Sequence, residues 1–289
     1  MDFIKITADR ARSVLHPRPH ESHKDHYGRV LAVCGCLGYT GAAWFAAMGA
    51  VRTGSGVVTL AVPQPVYPIL AAKLNEPVVL PLPDEGGKLC PASLEMLDAP
   101  LRRADALLVG PGLGRSDGVT EAVLALLESA RCPVVLDADG INALGGHIDV
   151  LQRSAHPVVL TPHAGEFARL TSVKEPAAED ASRFAQENRC VVLLKGHRTA
   201  VAAPDGAVYR NTTGNPGMAK GGSGDVLAGM LLSLLGQGVP PVDAACAAAW
   251  FHGRAGDRCA NKIGEFGMTP TDMLDAIPGL LRYLNSKEW

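Results

Sequence analysis

The 289-residue chain reads as a three-layer α/β/α sandwich around a mainly parallel sheet, a single domain over residues 1–289. Three observations predict this. Short apolar runs rich in β-branched residues recur along the chain. They are apolar throughout rather than alternating, as strands covered on both faces are. Helical patterns separate them, which is the βα alternation of a parallel sheet.

In chain order the predicted strands are RVLAVCG (29–35), GVVTLAVP (56–63), DALLVGPG (105–112), PVVLDAD (133–139), HPVVLTP (156–162) and CVVLLKG (190–196). Helical patterns occupy 40–53, 117–130, 164–171 and 177–188. The segment 198–211 reads as a β-hairpin turning near Asp205-Gly206. A glycine-rich loop then leads into helices that run to the C-terminus. In open α/β sheets the strand C-termini border the ligand crevice. Here those ends carry Gly35, Gly38 and Gly41; Gly110, Gly112 and Gly114; Asp137, Asp139 and Asn142; Thr161, His163 and Glu166; and Lys195 with Gly196, one rim of polar and glycine chemistry.

Composition narrows the function classes. With 47% hydrophobic and 19% charged residues the chain has material for a full core. A net charge of -2 with mixed signs offers no basic field for nucleic acid, so small-molecule partners are expected. The seven cysteines show neither metal-like nor disulfide-like spacing and sit mostly in apolar contexts, as buried reduced thiols do. No signal-peptide pattern opens the chain, and no apolar run reaches the ~18 residues of a membrane span. A soluble, cytoplasmic protein without a membrane partner is the expectation.

Several glycine motifs compete. GCLGYTG has G-x-x-G-x-x-G spacing rather than the dinucleotide fingerprint, and no acidic residue ends the next strand to hold a ribose. GPGLG (110–114) lets a ligand approach the backbone or simply turns strand into helix. Asp137, Asp139 and Asn142 offer oxygens to hydrated Mg²⁺, although helix capping is the preferred role for Asp139. In TPHAGEF, capping explains Glu166, and His163 is a candidate substrate contact.

The loop GNPGMAKGGSGDVLAG (214–229) lacks the Lys-Ser/Thr ending of a P-loop. It still places the amides of Gly222, Ser223 and Gly224 in the first helical turn, where unpaired donors and the helix dipole favour an anion. Asp225 beside that anion hole fits a base that takes the proton of an attacking hydroxyl while the amides steady the transferring phosphoryl group. The pattern points to phosphotransfer.

With these motifs in hand, the GxGD helix start resembles the ribokinase-like kinases. The ordered set GYTGAA, NEPVV, VGPGLG, VLDADGINAL, LTPHAGEFARL, LLKGHRT and GNPGMAKGGSGDVLAG is similar to the ADP/ATP-dependent NAD(P)H-hydrate dehydratases, over about residues 10–284. The resemblance implies repair of NADHX and NADPHX, the hydrates of NADH and NADPH, with Asp225 as catalytic base on the S epimer. It places Ala43, Gly112, Gly114, His163 and Asp225 around the hydrate. It places Lys195, Gly196, His197, Arg198, Thr199, Asn215, Met218 and Gly224 around ADP or, less in keeping with it, ATP. Mg²⁺ would ride on nucleotide and water oxygens with no direct protein ligand. The resemblance further implies a homotetramer; many relatives carry an N-terminal epimerase domain for which this chain has no room, so no such domain and a separate NAD(P)HX epimerase are expected. Position 220 departs from it, with Lys where many members have Thr; the lysine would meet phosphate or point into solvent. A ribokinase-like kinase of a vitamin precursor is the alternative.

Overall fold

The computed structural model describes residues 2–285 and contains every predicted strand. The strands are β1 (Ile4–Lys5), β2 (Arg29–Val33), β3 (Val57–Pro63), β4 (Val78–Leu82), β5 (Ala106–Val109), β6 (Val134–Leu136), β7 (Val158–Leu160), β8 (Val191–Leu194), β9 (Ala200–Ala202) and β10 (Val208–Arg210). They form one sheet in the order β1-β10-β9-β8-β7-β6-β5-β2-β3-β4. Every pairing is parallel except those of β9, which runs antiparallel to β8 and β10 as the predicted hairpin requires. Gly206, at φ 92°, makes that hairpin's turn.

Of the elements outside the predicted strands and helices, two are disguised by proline. Pro81 interrupts the apolar run of β4 and is tolerated because β4 is an edge strand with β3 as its sheet neighbour. Pro100 likewise sits inside the Leu94–Arg103 helix.

Alternation along each strand feeds two cores. Val30, Ala32 and Cys34 face one, Leu31 and Val33 the other. The first core is closed by the helices Thr40–Thr53, Ser223–Gly236, Pro241–Ile263 and Pro270–Asn285, the second by Leu94–Arg103, Asp117–Ser129, Ala164–Thr171 and Ala178–Asn188. The Ser223–Gly236 helix is apolar on nearly all sides and correspondingly buried nearly all round.

That helix lies unusually close to Thr40–Thr53. A Cβ on Gly229 would stand 2.1 Å from the Ala46 carbonyl oxygen, and one on Gly49 2.7 Å from that of Val226. Since the two helices start at the crevice, this contact fixes both N-termini there. Gly229→Ala is expected to lower unfolding free energy in urea by about 1–3 kcal/mol through overpacking. It does so although alanine is the better helix former by about 1 kcal/mol; an unchanged urea midpoint would contradict the close crossing.

β2 is flanked by β3 on one side and β5 on the other, so the chain winds away in opposite directions at β2/β5. This is a topological switch point, where open sheets leave a crevice. The backbone stitches its two lips together: Gly35 N–H donates to the Pro111 carbonyl at 2.8 Å, and Gly110 N–H to that of Val33 at 3.2 Å.

Candidate active site

The glycine loop forms the candidate anion hole. Gly222 caps the Ser223–Gly236 helix at φ 97°, a conformation that favours glycine, and a Cβ there would collide with the Phe45 ring at 2.6 Å. Among the described residues, no protein acceptor takes the amides of Gly222, Gly224 or Asp225. The Ser223 amide is already engaged, donating to the Lys220 carbonyl at 3.2 Å. Of the three amides predicted for the hole, that of Ser223 closes the turn, while the adjoining amide of Asp225 is unpaired.

Beside the hole lies a buried charge cluster built from three neighbouring strand ends. Asp137 follows β6, Glu166 stands in the helix after β7, and Lys195 follows β8. Lys195 Nζ lies 2.8 Å from Asp137 Oδ1 and 3.9 Å from Glu166 Oε2. Thr161 Oγ1 donates to the same Asp137 oxygen at 2.7 Å. Burial opposes the Lys195 charge, but Asp137, Glu166 and Asp225 outweigh it and hold the ammonium above its ordinary pKa. The ammonium also overhangs the hole, since a Cβ on Gly224 would meet Nζ at 3.3 Å.

These neighbours set the basicity of Asp225. Burial, then the Asp137 carboxylate, and lastly Glu166 push its carboxyl up to about 7, against the pull of Lys195. A carboxylate tuned near neutrality, next to unpaired amides and a fixed cation, can exchange a proton with a hydroxyl while an anion is held beside it.

The residues expected on the nucleotide side occupy two adjoining turns. Lys195 through Thr199 form a tight turn after β8, with Arg198 at φ 61° and Thr199 Oγ1 donating to the Gly196 carbonyl at 3.1 Å. Asn215 caps the next turn by accepting from Gly217 N–H at 3.0 Å, and Met218 packs its sulfur against Gly214 and Gly256. On the other side, Gly112 (φ 67°) lies under Tyr39, and Gly114 (φ 73°) lies over Cys36. His163 caps its helix, Nδ1 accepting from Gly165 N–H at 3.0 Å, and keeps an exposed ring. Ala43 is fully buried beneath Gly35 and floors that turn.

Comparison with known proteins decides the assignment. The sequence model described as NAD(P)H-hydrate dehydratase matches residues 30–279. The chain belongs to this family. A bifunctional NAD(P)H-hydrate repair enzyme of Moorella thermoacetica is 45% identical over 98% of the chain, which spans 54% of that relative. The chain thus covers about half the length of the bifunctional relatives it matches. An ADP-dependent (S)-NAD(P)H-hydrate dehydratase of Bacillus subtilis is 34% identical, with 94% of this chain and 95% of that protein covered. The crystal structure of an ADP/ATP-dependent NAD(P)H-hydrate dehydratase from Bacillus subtilis, co-crystallized with ATP/Mg2+, superposes with TM-score 0.83 at 32% identity, covering 98% and 99% of the two chains. A ribokinase-like superfamily protein from Enterococcus faecalis superposes with TM-score 0.86 at 26% identity over 98% and 96%. The fold is ribokinase-like, as the strand and motif order predicted.

Within this NAD(P)H-hydrate dehydratase fold one sequence reading is corrected and the surroundings of another residue are resolved. Asp139 does not cap its own helix: the residue before it, Ala138, is held at φ 50°, and Asp139 Oδ2 instead accepts from Gly114 N–H at 2.8 Å. Lys220 is exposed but does not simply extend into solvent. It donates to the backbone carbonyls of Phe266, at 2.8 Å, and Met268, tying the glycine loop to the segment that follows the Pro241–Ile263 helix. Lys220→Met should therefore cost about 1 kcal/mol of stability, the worth of such a tie, and weaken nucleotide binding measured by calorimetry. A variant with wild-type urea midpoint would contradict this role.

Two supports of the site were not singled out from sequence. His252 Nε2–H donates to the Ser223 carbonyl at 2.9 Å from the Pro241–Ile263 helix. Burial, aided by Lys195, lowers its pKa to about 4, so it is neutral beneath the anion hole. Asp257, from the same helix, accepts from Gly214 N–H at 3.1 Å and faces Asn215 Nδ2 at 3.4 Å. A histidine directly after the apolar AACAAAWF run was the available signal.

Among the described residues no cluster of three or more His, Cys, Asp or Glu is arranged to hold a metal. The oxygens of Asp137 and Glu166 already face Lys195. All seven cysteines are buried and unpaired, and among the described residues no helix is long and apolar enough to cross a membrane.

Proposed function

We propose that this chain dehydrates the S epimer of NADHX and NADPHX to NADH and NADPH at the expense of ADP, releasing AMP and phosphate. The observation that carries this reading is Asp225, tuned to about 7 by its buried neighbours and seated in the first turn of the anion hole. Its carboxylate takes the proton of the C6 hydroxyl. The hydroxyl oxygen then attacks the terminal phosphorus of the nucleotide, and the amides of Gly222, Gly224 and Asp225 hold the transferring group's oxygens. Lys195, overhanging Gly224, balances the charge. The ring nitrogen's lone pair then expels phosphate from C6, the phosphate departing with the C6–O bonding pair, and loss of a C5 proton to that phosphate restores the double bond. Mg²⁺ bound to the nucleotide supplies charge neutralisation of the phosphates, a role supported by the co-crystallization of the Bacillus subtilis dehydratase with ATP/Mg2+.

ADP is the preferred donor in this reading, supported by the ADP-dependent relative from Bacillus subtilis. The family resemblance supports a cytoplasmic homotetramer working beside an NAD(P)HX epimerase. Incubating the protein with NADHX and either ADP or ATP tests the function. Recovery of reduced-nicotinamide absorbance with stoichiometric phosphate is expected, faster with ADP; a stable phosphoester without recovery would instead establish a kinase.

A further inference from the structure

The crevice rim beside Gly114 and His163 carries a chain of charged groups that the chemistry above does not use. The Ala138 backbone, at φ 50°, divides two aspartates: Asp137 turns inward to Lys195, and Asp139 turns outward to the rim. Asp139 Oδ1 accepts from Asn142 Nδ2 at 3.1 Å and lies 3.5 Å from Arg115 Nε. Arg169 Nε in turn donates to Asn142 Oδ1 at 3.3 Å. Lys88 reaches the same lip, donating to the Arg115 carbonyl at 3.1 Å, with its methylenes against Gly114.

Of these cations Arg115 faces the Asp139 carboxylate directly and Arg169 reaches it through Asn142, while Glu166 is turned inward to Lys195 and to the His163 amide. Arg169 is hydrogen-bonded through Nε, and Arg115 turns its Nε toward the Asp139 carboxylate. Among the described residues their Nη groups donate to no protein acceptor, and neither side chain is buried. An arginine held by Nε keeps its forked terminal donors free and oriented, the arrangement that grips phosphate oxygens in pairs.

We propose that Arg115 and Arg169, steadied by Asp139 and Asn142, bind the diphosphate of the dinucleotide substrate, with Lys88 beside them. This rests on the hydrate-dehydratase reading, and it assigns the part of the substrate remote from the reacting ring. Binding energy from such a remote group holds the ring against Asp225.

The test compares wild type with Arg115→Ala, Arg169→Ala and the double variant, all at positions outside the core. KM for NADHX should rise at least about fivefold in each single variant and further in the double, as expected for loss of charge-assisted phosphate contacts. KM for ADP should move less than about twofold, because those phosphates belong at the glycine loop. The hydrate of reduced nicotinamide riboside, which has no phosphate, should be processed equally by wild type and double variant. An unchanged KM for NADHX in the double variant overturns the inference, as does an equal loss on the riboside hydrate or a matching rise for ADP. If wild type fails to dehydrate NADHX, the functional reading fails alone; affinity for NADH, by calorimetry on the same proteins, still decides whether the rim holds a dinucleotide diphosphate.

Discussion

Asp225→Asn loses turnover by ~10³-fold, the middle of what a positioned general base contributes, while calorimetric affinity for ADP stays near wild type. The same carboxyl makes wild-type activity depend on pH. Held up to about 7, Asp225 is increasingly protonated below that value, so the rate falls with pH through this region. Its effect on stability has the opposite sense. The folded carboxyl binds its proton more tightly than the unfolded one, whose ordinary value is 3.8, so folding stability declines as pH rises from there to about 7 and stays lower above it. Asparagine removes that penalty. The variant should melt higher than wild type above neutrality and gain little in acid, where wild type is already protonated. A variant that kept wild-type turnover would remove Asp225 from the chemistry, and a thermal gain independent of pH would rule out the raised carboxyl as its cause.

Lys195→Met is expected to be the most destabilising single change at the site, by about 3–5 kcal/mol, because it strips the cation from a buried pair and leaves a carboxylate uncompensated. Asp137 is almost fully buried, and Thr161 alone would remain to it among its side-chain partners in the structure. A second consequence follows for catalysis. Lys195 is the group that pulls the Asp225 pKa down, so its removal moves the acid limb of the rate profile to higher pH. Lys195→Arg keeps the charge and should retain more stability than Met. Urea melts and a pH–rate profile check both; equal stability of the Met variant and wild type would show that the Lys195–Asp137 pair contributes nothing.

The fold was legible because nearly every central strand is an uninterrupted apolar run, and burial on both faces leaves such runs no alternative. It became illegible where proline broke the pattern, at Pro81 in β4 and Pro100 in the Leu94–Arg103 helix. At the site, single residues could be read where local backbone chemistry sets their role: the glycines before Asp225 and the polar strand ends announce themselves in one stretch of chain. Partnerships could not. Lys195 and Asp137 are 58 positions apart and meet because β6, β7 and β8 are neighbours in the sheet. His252 reaches Ser223 from a different helix, and Lys220 finds its carbonyls more than forty residues downstream. The Asp139 reading failed for a local reason instead: an alanine at positive φ redirects the side chain that follows it.

The chemistry proposed for this site turns on one order of events: the C6 hydroxyl is phosphorylated before it leaves, with Asp225 as the base. NADHX carrying oxygen-18 in that hydroxyl, incubated with unlabelled ADP and the protein, follows the oxygen itself. The label is expected in inorganic phosphate, in step with the reduced nicotinamide formed, because the oxygen joins phosphorus and then parts from carbon. Label released into water, with unlabelled phosphate, would contradict it.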